Sequence, residues 1–230
     1  MKKSLVVIPT YNELESIGSL LEELSQLEVD VLIIDDGSPD GTAKKCRTHG
    51  VEVVERAGKQ GLGSAYRVGF QIALDRGYEN IIEMDADGSH RVSDLVKMME
   101  KIGTADLLIG SRWVAKGKIA NWSKFRELLS KAANRYANLL LSLDVADTTA
   151  GFRIYSGALL AKMDIQSIAS EGYCFQIEMT RRARARGGSI IEIPITFIER
   201  EHGVSKMSFE IAAEAVLRIT AWGFLRIFGR

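Results

Sequence analysis

Two carboxylates one residue apart, Asp85 and Asp87, stand where an apolar run ends in "NIIEMDADGSH" (80–90). Both can reach one oxygen-preferring cation in a turn. Mg2+ or Mn2+ takes one or two protein carboxylates and leaves its other positions to phosphate and water. The alternative is a solvated Asp-rich turn that Asp87 caps. A second acidic pair, Asp35-Asp36 in "DDGSPDG", ends another apolar run. A carboxylate there can accept from a nucleobase N–H or a ribose hydroxyl, while Gly37, Ser38 and Pro39 make the turn. Pro9, Tyr11 and Glu13 of "PTYNE" are placed to wall the same pocket, and Thr10 with Glu13 also fits a helix capping box. A pyrophosphate and a further anion need cations. The candidates are Arg112, then Arg126 with Ser130 and Asn134 at four-residue spacing on one helix face, then Arg200 and Lys206 around "EHGVSK".

Other patterns lead elsewhere. "GKQGLGSAY" has its Gly58-Lys59 at the start, where a P-loop ends in Gly-Lys-Ser/Thr, and Tyr66 stands where a dinucleotide fingerprint has its third glycine. These glycines suit a flexible loop and a close helix start. A calcium loop counted from Asp36 would need Glu at its twelfth position, which is Arg47. His49, His90 and His202 are scattered, so no Ser/His/Asp or Cys/His constellation appears, and His90 reads as a loop residue first. The arginines of "RRARAR" (181–186) split over helix faces without interleaved aromatics, which argues against nucleic acid.

Positioning these residues requires a scaffold. The chain has 230 residues, 46% of them apolar, enough for one α/β domain with a sizeable core. Lys plus Arg and Asp plus Glu are both 30, so no global field draws the protein to nucleic acid or anionic lipid. Two cysteines make no disulfide framework. Nothing reads as a signal peptide, and no stretch reaches the 18 or so apolar residues of a membrane span. Strands are expected at 4–9, 29–36, 51–56, 80–85 and 105–111, alternating with helices at 12–27, 41–50, 63–77 and 92–103. That alternation means a parallel sheet covered on both faces, with ligands beyond the carboxyl ends of its strands. Beyond it come helices at 122–143 and 172–188, a loop and strand at 144–156, a strand at 189–200, and a tail helix with a charged stripe of Glu210, Glu214, Arg218 and Arg226. The expected division is a catalytic domain over 1–206 and an amphipathic helix over 207–230.

In this order, "PTYNE", "DDGSPDGT", "GLGSAY", "MDADGSH", "GSR", "DTTAGFR", "GYCFQIE" and the segment Glu199 to Lys206 resemble the family-two inverting glycosyltransferases of GT-A fold. Within them the likeness is to the polyprenol-phosphate (dolichol-phosphate) mannose synthases. The resemblance implies a GDP-mannose donor, a polyprenyl monophosphate acceptor and Mg2+ or Mn2+. It implies that Pro9, Tyr11, Glu13, Asp35 and Asp36 hold the nucleoside, with the Ala86 backbone near the ribose. Asp85 and Asp87 would hold the metal, with Ser89 where some members have a further Gln ligand. Arg200 and Lys206 would close over the donor phosphates, and Arg112, Arg126 and Ser130 would hold the lipid phosphate. The chain lacks the extra membrane spans of some members. The resemblance therefore implies a cytoplasmic enzyme, peripheral at the inner face of the membrane, and leaves room for a membrane-protein partner. Its tail (Phe209, Ile219, Trp222, Phe224, Leu225, Ile227) and the Trp122–Phe125 region can lie in the interface. A phosphate nucleophile, with its second pKa near about 6, needs no general base. The alternatives are a UDP-sugar donor, a non-catalytic nucleotide-sugar-binding subunit, or a hydroxyl acceptor, for which Glu178 or Asp147 would serve as base.

Overall fold

The computed structural model describes residues 3–199 and 209–228. Arg200 and Lys206 lie outside the described residues, as do the side chains of Phe209, Glu210, Glu214 and Ile227.

Continuous apolar runs become strands buried on both faces in the middle of the sheet, while the edge strands keep exposed residues. β1 (Ser4–Thr10), β2 (Asp30–Asp35), β3 (Glu52–Glu55), β4 (Asn80–Glu83), β5 (Leu107–Ser111), β7 (Arg153–Ser156) and β8 (Ile190–Pro194) form a seven-stranded sheet in the order β3-β2-β1-β4-β7-β5-β8. Helices α1 (Leu14–Leu24), α2 (Thr42–Thr48), α3 (Leu62–Asp75) and α4 (Val92–Met99) connect the first five strands. One core packs Tyr66 and Phe70 of α3 on one sheet face, and another packs Ile17, Leu21 and Leu95 on the other. The approach of α3 is close: a Cβ on Gly69 would stand 2.3 Å from Val7 Cγ1.

The parallel expectation needs one correction. β7 runs antiparallel between β4 and β5. Its preceding loop therefore reaches the edge of the sheet where the parallel strands end. The strand expected over 189–200 is two: β8 in the main sheet, then β9 (Thr196–Ile198), which pairs with β6 (Lys118–Ala120) in a small second sheet. The break lets Ile195 N–H donate to Ser111 O before the chain turns over the sheet. α6 (Gly157–Lys162) follows β7 directly, capped by the Ser156 hydroxyl.

The later helices are α5 (Lys124–Leu141), α7 (Gly172–Ala185) and α8 (Phe209–Phe228). α8 packs on α5 and α7: Ile219 is buried with Leu141 and Ile177, and Tyr136 hydrogen-bonds Thr220. The tail is thus attached to the domain along one face. Its other face leaves Leu217, Phe224 and Phe228 exposed, as α5 leaves Phe125, Leu128 and Leu129. Three of the four arginines of 181–186 are held against the domain, and Arg186 is exposed: Arg181 stacks on Trp222, Arg182 pairs with Glu178, and Arg184 holds Leu143 O.

Candidate active site

The carboxyl ends of β1, β4 and β5 open into a cavity of about 530 Å3. Pro9, Tyr11, Glu13, Asp36, Asp85, Ala86, Asp87, Ser89, Arg112 and Arg126 all line it. Asp35 and Ser130 do not.

Asp35 and Asp36 divide because neighbouring residues of an extended chain face opposite ways. Asp35 is fully buried behind the wall, accepting from Thr10 Oγ1 (2.7 Å), Ser38 N (2.8 Å) and Ser38 Oγ (2.7 Å). It organises the turn and does not face the cavity. This also overturns the capping box, because Thr10 spends its hydroxyl on Asp35. The start of α1 is served instead by the 37–42 loop, where Glu13 N donates to Thr42 Oγ1 and Leu14 N to Asp40 Oδ2. Asp36 is held by Arg56 Nε (2.5 Å) and Gln60 N (3.0 Å). Across from it, Lys59 Nζ sits 4.7 Å from the Tyr11 ring centroid.

Asp85 receives the Tyr66 hydroxyl on Oδ1 at 3.1 Å, and its backbone N–H donates to His90 Nδ1 at 3.0 Å. Burial, then the charge of Asp85, pushes the Tyr66 phenol well above its ordinary range, so it remains a donor. Burial lowers the His90 pKa against the pull of Asp85 and Asp87. A neutral imidazole stacked 4.7 Å from Phe152 fits its acceptor role. Asp87 Oδ1 accepts from Ser89 N at 3.1 Å, so it does cap its turn while facing the cavity. Tyr66 and His90 sit beside the acidic pair, yet sequence spacing gave no sign that Tyr66 would reach it.

The described wall carries six carboxylates (Glu13, Asp36, Asp85, Asp87, Glu171, Glu199) against Lys59, Arg112 and Arg126. A nucleoside diphosphate would meet an excess of like charge there. All-oxygen donors at Asp85 and Asp87 suit a hard divalent cation that keeps water or phosphate in its remaining positions. Ser89 Oγ is buried and has no hydrogen-bond partner among the described residues, an orphan that an ordered water or cation shell would satisfy. The residues present fit such an ion.

Arg112 is buried and held three ways by Asp147: its N, Nε and Nη2 donate at 2.9, 2.7 and 2.6 Å. Nη2 also reaches Thr149 Oγ1, and the guanidinium lies against Trp122 and Phe197, each 5.4 Å from its Cζ. Arg126 pairs with Glu199 and stacks 4.1 Å from Trp122. Ser130 lies four residues further along α5, about 6 Å in rise, and is outside the lining. Glu178 and Asp147 do not line the cavity either. Glu178 accepts from Ser170 Oγ and Arg182, and Asp147 is spent on Arg112. Neither is free to act as a general base.

The glycine loop has a structural purpose. Gly61 has φ +93°, and a Cβ on it would stand 2.5 Å from Glu171 Oε2. That carboxylate accepts from Gly63 N at 2.9 Å, closing the N-terminus of α3 with the chain's own anion. Burial raises the Glu171 pKa against the pull of the Gly63 N–H. A deeper network lies under the site. Burial pushes Glu83 up to about 8, opposed by the charge of Arg153. Arg153, fully buried, donates to Ala150 O, Thr148 O, Gln176 O and Thr180 Oγ1.

The family model described as "Glycosyl transferase family 2" matches residues 5–163. The chain belongs to glycosyl transferase family 2. As a family 2 glycosyltransferase it is 47% identical over 226 residues to an undecaprenyl-phosphate mannosyltransferase of Micrococcus luteus, covering 95% of this chain and 93% of that one. It is 44% identical to a polyprenol monophosphomannose synthase of Mycolicibacterium smegmatis, covering 96% and 87%. Among solved structures it is similar to mannosyl-3-phosphoglycerate synthase of Rubrobacter xylanophilus (TM-score 0.70, 18% identity, 100% of this chain and 75% of that one). It is also similar to glucosyl-3-phosphoglycerate synthase of Mycobacterium tuberculosis, crystallised with Mn2+, UDP and glucosyl-3-phosphoglycerate (TM-score 0.69, 18% identity, 98% and 79%). At that identity the structural likeness speaks for the GT-A fold.

Proposed function

We propose that this glycosyltransferase moves mannose from GDP-mannose to a polyprenyl monophosphate, with inversion at C1. The observation that carries the reading is the continuity of one cavity. It joins the Asp85/Asp87 end to Arg112 and Arg126, and Arg126 sits on a helix whose neighbouring Phe125 and Leu129 are exposed. Anion recognition and an apolar approach therefore meet at its mouth. The names of the two bacterial relatives support the same acceptor class.

In this reading Pro9, Tyr11 and Asp36 hold the nucleoside. Asp85 and Asp87 hold a divalent cation, which supplies positive charge to the leaving diphosphate. Tyr66 and His90 fix the orientation of the Asp85 segment. Arg112, kept in place by Asp147, and Arg126 hold the acceptor phosphate. Its oxygen forms a bond to C1 as the bond from C1 to the nucleoside diphosphate breaks on the opposite face. The nucleophile is already an anion, so no proton moves, which agrees with Glu178 and Asp147 both being engaged elsewhere. Rate comes from positioning and electrostatics. The same reading puts the enzyme on the cytoplasmic face of a membrane. Among the described residues no helix is long and apolar enough to cross one, and the exposed faces of α5 and α8 would lie at the interface, with or without a membrane-protein partner.

The test is radiolabel transfer into the lipid phase with Mg2+ or Mn2+ and a short polyprenyl phosphate, comparing GDP-mannose, UDP-glucose and UDP-N-acetylglucosamine. Counts from GDP-mannose alone are expected. Counts from a UDP-sugar would refute the donor, and none from any donor would refute the acceptor. Asp87→Ala should lose at least about 100-fold in rate, and full metal-dependent turnover by that variant would refute the cation site.

A further inference from the structure

The even charge of the whole chain hides a separation. Residues 107–143 contain seven Lys or Arg and one acidic residue, Glu127, while the rest of the chain carries 23 basic and 29 acidic side chains. Three of the seven are matched: Arg112 by Asp147, Arg126 by Glu199 and Lys131 by Glu127. Lys116, Lys118, Lys124 and Arg135 are exposed and have no ion pair among the described residues. Lys124 opens α5, where the helix dipole disfavours a cation. Local helix energetics therefore do not account for it.

These charges border an exposed apolar band. On α5, Asn134, Ala137 and Leu141 face the domain, while Tyr136 and Leu140 pack towards α8. Beyond that flank, helical spacing puts Phe125, Leu128 and Leu139 in one outward row, and Lys124, Lys131 and Arg135 in the next. Lys131 also lies 4.9 Å from the Trp113 ring centroid, which starts the segment carrying Lys116 and Lys118 beside that second row. On the other side α8 continues the band with Leu217, Phe224 and Phe228. An apolar helix face edged by Lys and Arg suits the interface of a bilayer. Neutral headgroups would cover the apolar rows and leave the four cations without partners.

We propose that this face docks on anionic lipid headgroups, and that the charge separation sets the orientation in which the enzyme meets the bilayer. The proposal rests on the membrane-acceptor reading and adds to it the kind of lipid surface. Each unmatched cation within a Debye length of an anionic leaflet strengthens binding roughly fivefold. The same surface repels the acidic remainder of the chain, which turns the cavity mouth at Arg126, next to Phe125, towards the lipid.

The test is flotation of the full chain with vesicles of phosphatidylcholine alone, and of phosphatidylcholine with phosphatidylglycerol at about 7 to 3, in about 0.1 M and about 1 M NaCl. At low salt, binding to the mixed vesicles should be at least about tenfold tighter than to the neutral ones. At high salt, where the screening length is about 3 Å, the two should agree within about twofold. The triple variant Lys118→Gln, Lys124→Gln, Arg135→Gln should bring the low-salt preference below about threefold. Its Tm and its transfer to a detergent-dispersed polyprenyl phosphate should match wild type, since none of the three lines the cavity. Equal binding to the two vesicles at low salt, or a preference kept by the triple variant, would overturn the proposal. Binding to neither vesicle would overturn it as well, and would give the face to a protein partner. Flotation needs no turnover, and the detergent assay needs no bilayer. Failure of this inference and failure of the glycosyl-transfer reading are therefore seen separately.

Discussion

Replacing Asp147 with Asn changes one buried charge and almost no volume. Asp147 is fully buried and accepts three hydrogen bonds from Arg112, whose side chain is 6% exposed. The variant strands a guanidinium in a dry corner against Trp122 and Phe197. Breaking a buried ion pair on one side costs about 3–5 kcal/mol, most of it from the charge left behind. For a domain of this size about 1 kcal/mol moves Tm by 2–4 °C, so Asp147→Asn should melt roughly 6–20 °C below wild type. Two further measurements isolate the cause. The double variant Asp147→Leu with Arg112→Met removes both charges and should melt above the single variant. Inorganic phosphate should raise the Tm of Asp147→Asn more than that of wild type, because the unpaired guanidinium gains an anion it otherwise shares. A single variant within about 2 °C of wild type by calorimetry would refute the reasoning. So would a double variant that loses as much as the single one.

Three other outcomes follow from the structure. Burial holds Glu83 protonated, its pKa pushed from the ordinary 4.5 up to about 8, so the folded state binds the extra proton and stability falls as pH rises from 4.5 towards 8. Glu83→Gln should flatten that slope, its Tm advantage over wild type growing from pH 5 to pH 8 in a melting series, and a constant difference would contradict the assignment. Gly69→Ala drives a methyl into Val7 and should cost about 1–3 kcal/mol by denaturant unfolding, with Val7→Ala on the same chain recovering part of it. Leu217→Ser with Phe224→Ser, at positions 72% and 60% exposed, should leave unfolding within about 1 kcal/mol of wild type while reducing flotation with liposomes. Unchanged flotation would remove α8 from the membrane-facing surface.

β1, β2, β4 and β5 were legible because strands covered on both faces read as apolar runs, and the polar segments after them had to gather at one edge; the edge strand β3 reads only as Val53 and Val54 between glutamates. β7 was legible as a strand but not in direction. Four residues with no hairpin turn before them carry no signal of which way they pair. The break between β8 and β9 was hidden because Ile193 and Ile195 are both buried, so hydropathy runs across it. Within the site, spacing brought Asp85, Asp87 and Arg112 to one cavity. It could not separate Asp35 from Asp36, since which of two adjacent residues faces out depends on strand register. Thr10 misled for a related reason: its hydroxyl had a long-range partner 25 residues away that outweighed the local cap. Tyr66, Glu171 and Gln176 were out of reach, being apposed by helix packing from distant segments.

The antiparallel insertion of β7 has a consequence for assembly. Through Ser111 the chain has made β4 and β5, but these strands are not neighbours, and each waits for a partner that emerges more than 40 residues later. Until Arg153–Ser156 arrives, the nascent sheet presents a raw hydrogen-bonding edge at β4, the kind of edge that recruits other chains. The same four residues then join the half bearing Asp85 to the half bearing Arg112. A fragment ending after β5 should therefore aggregate rather than fold to a small nucleotide-binding module, and the two halves are better regarded as one cooperative unit than as separable parts.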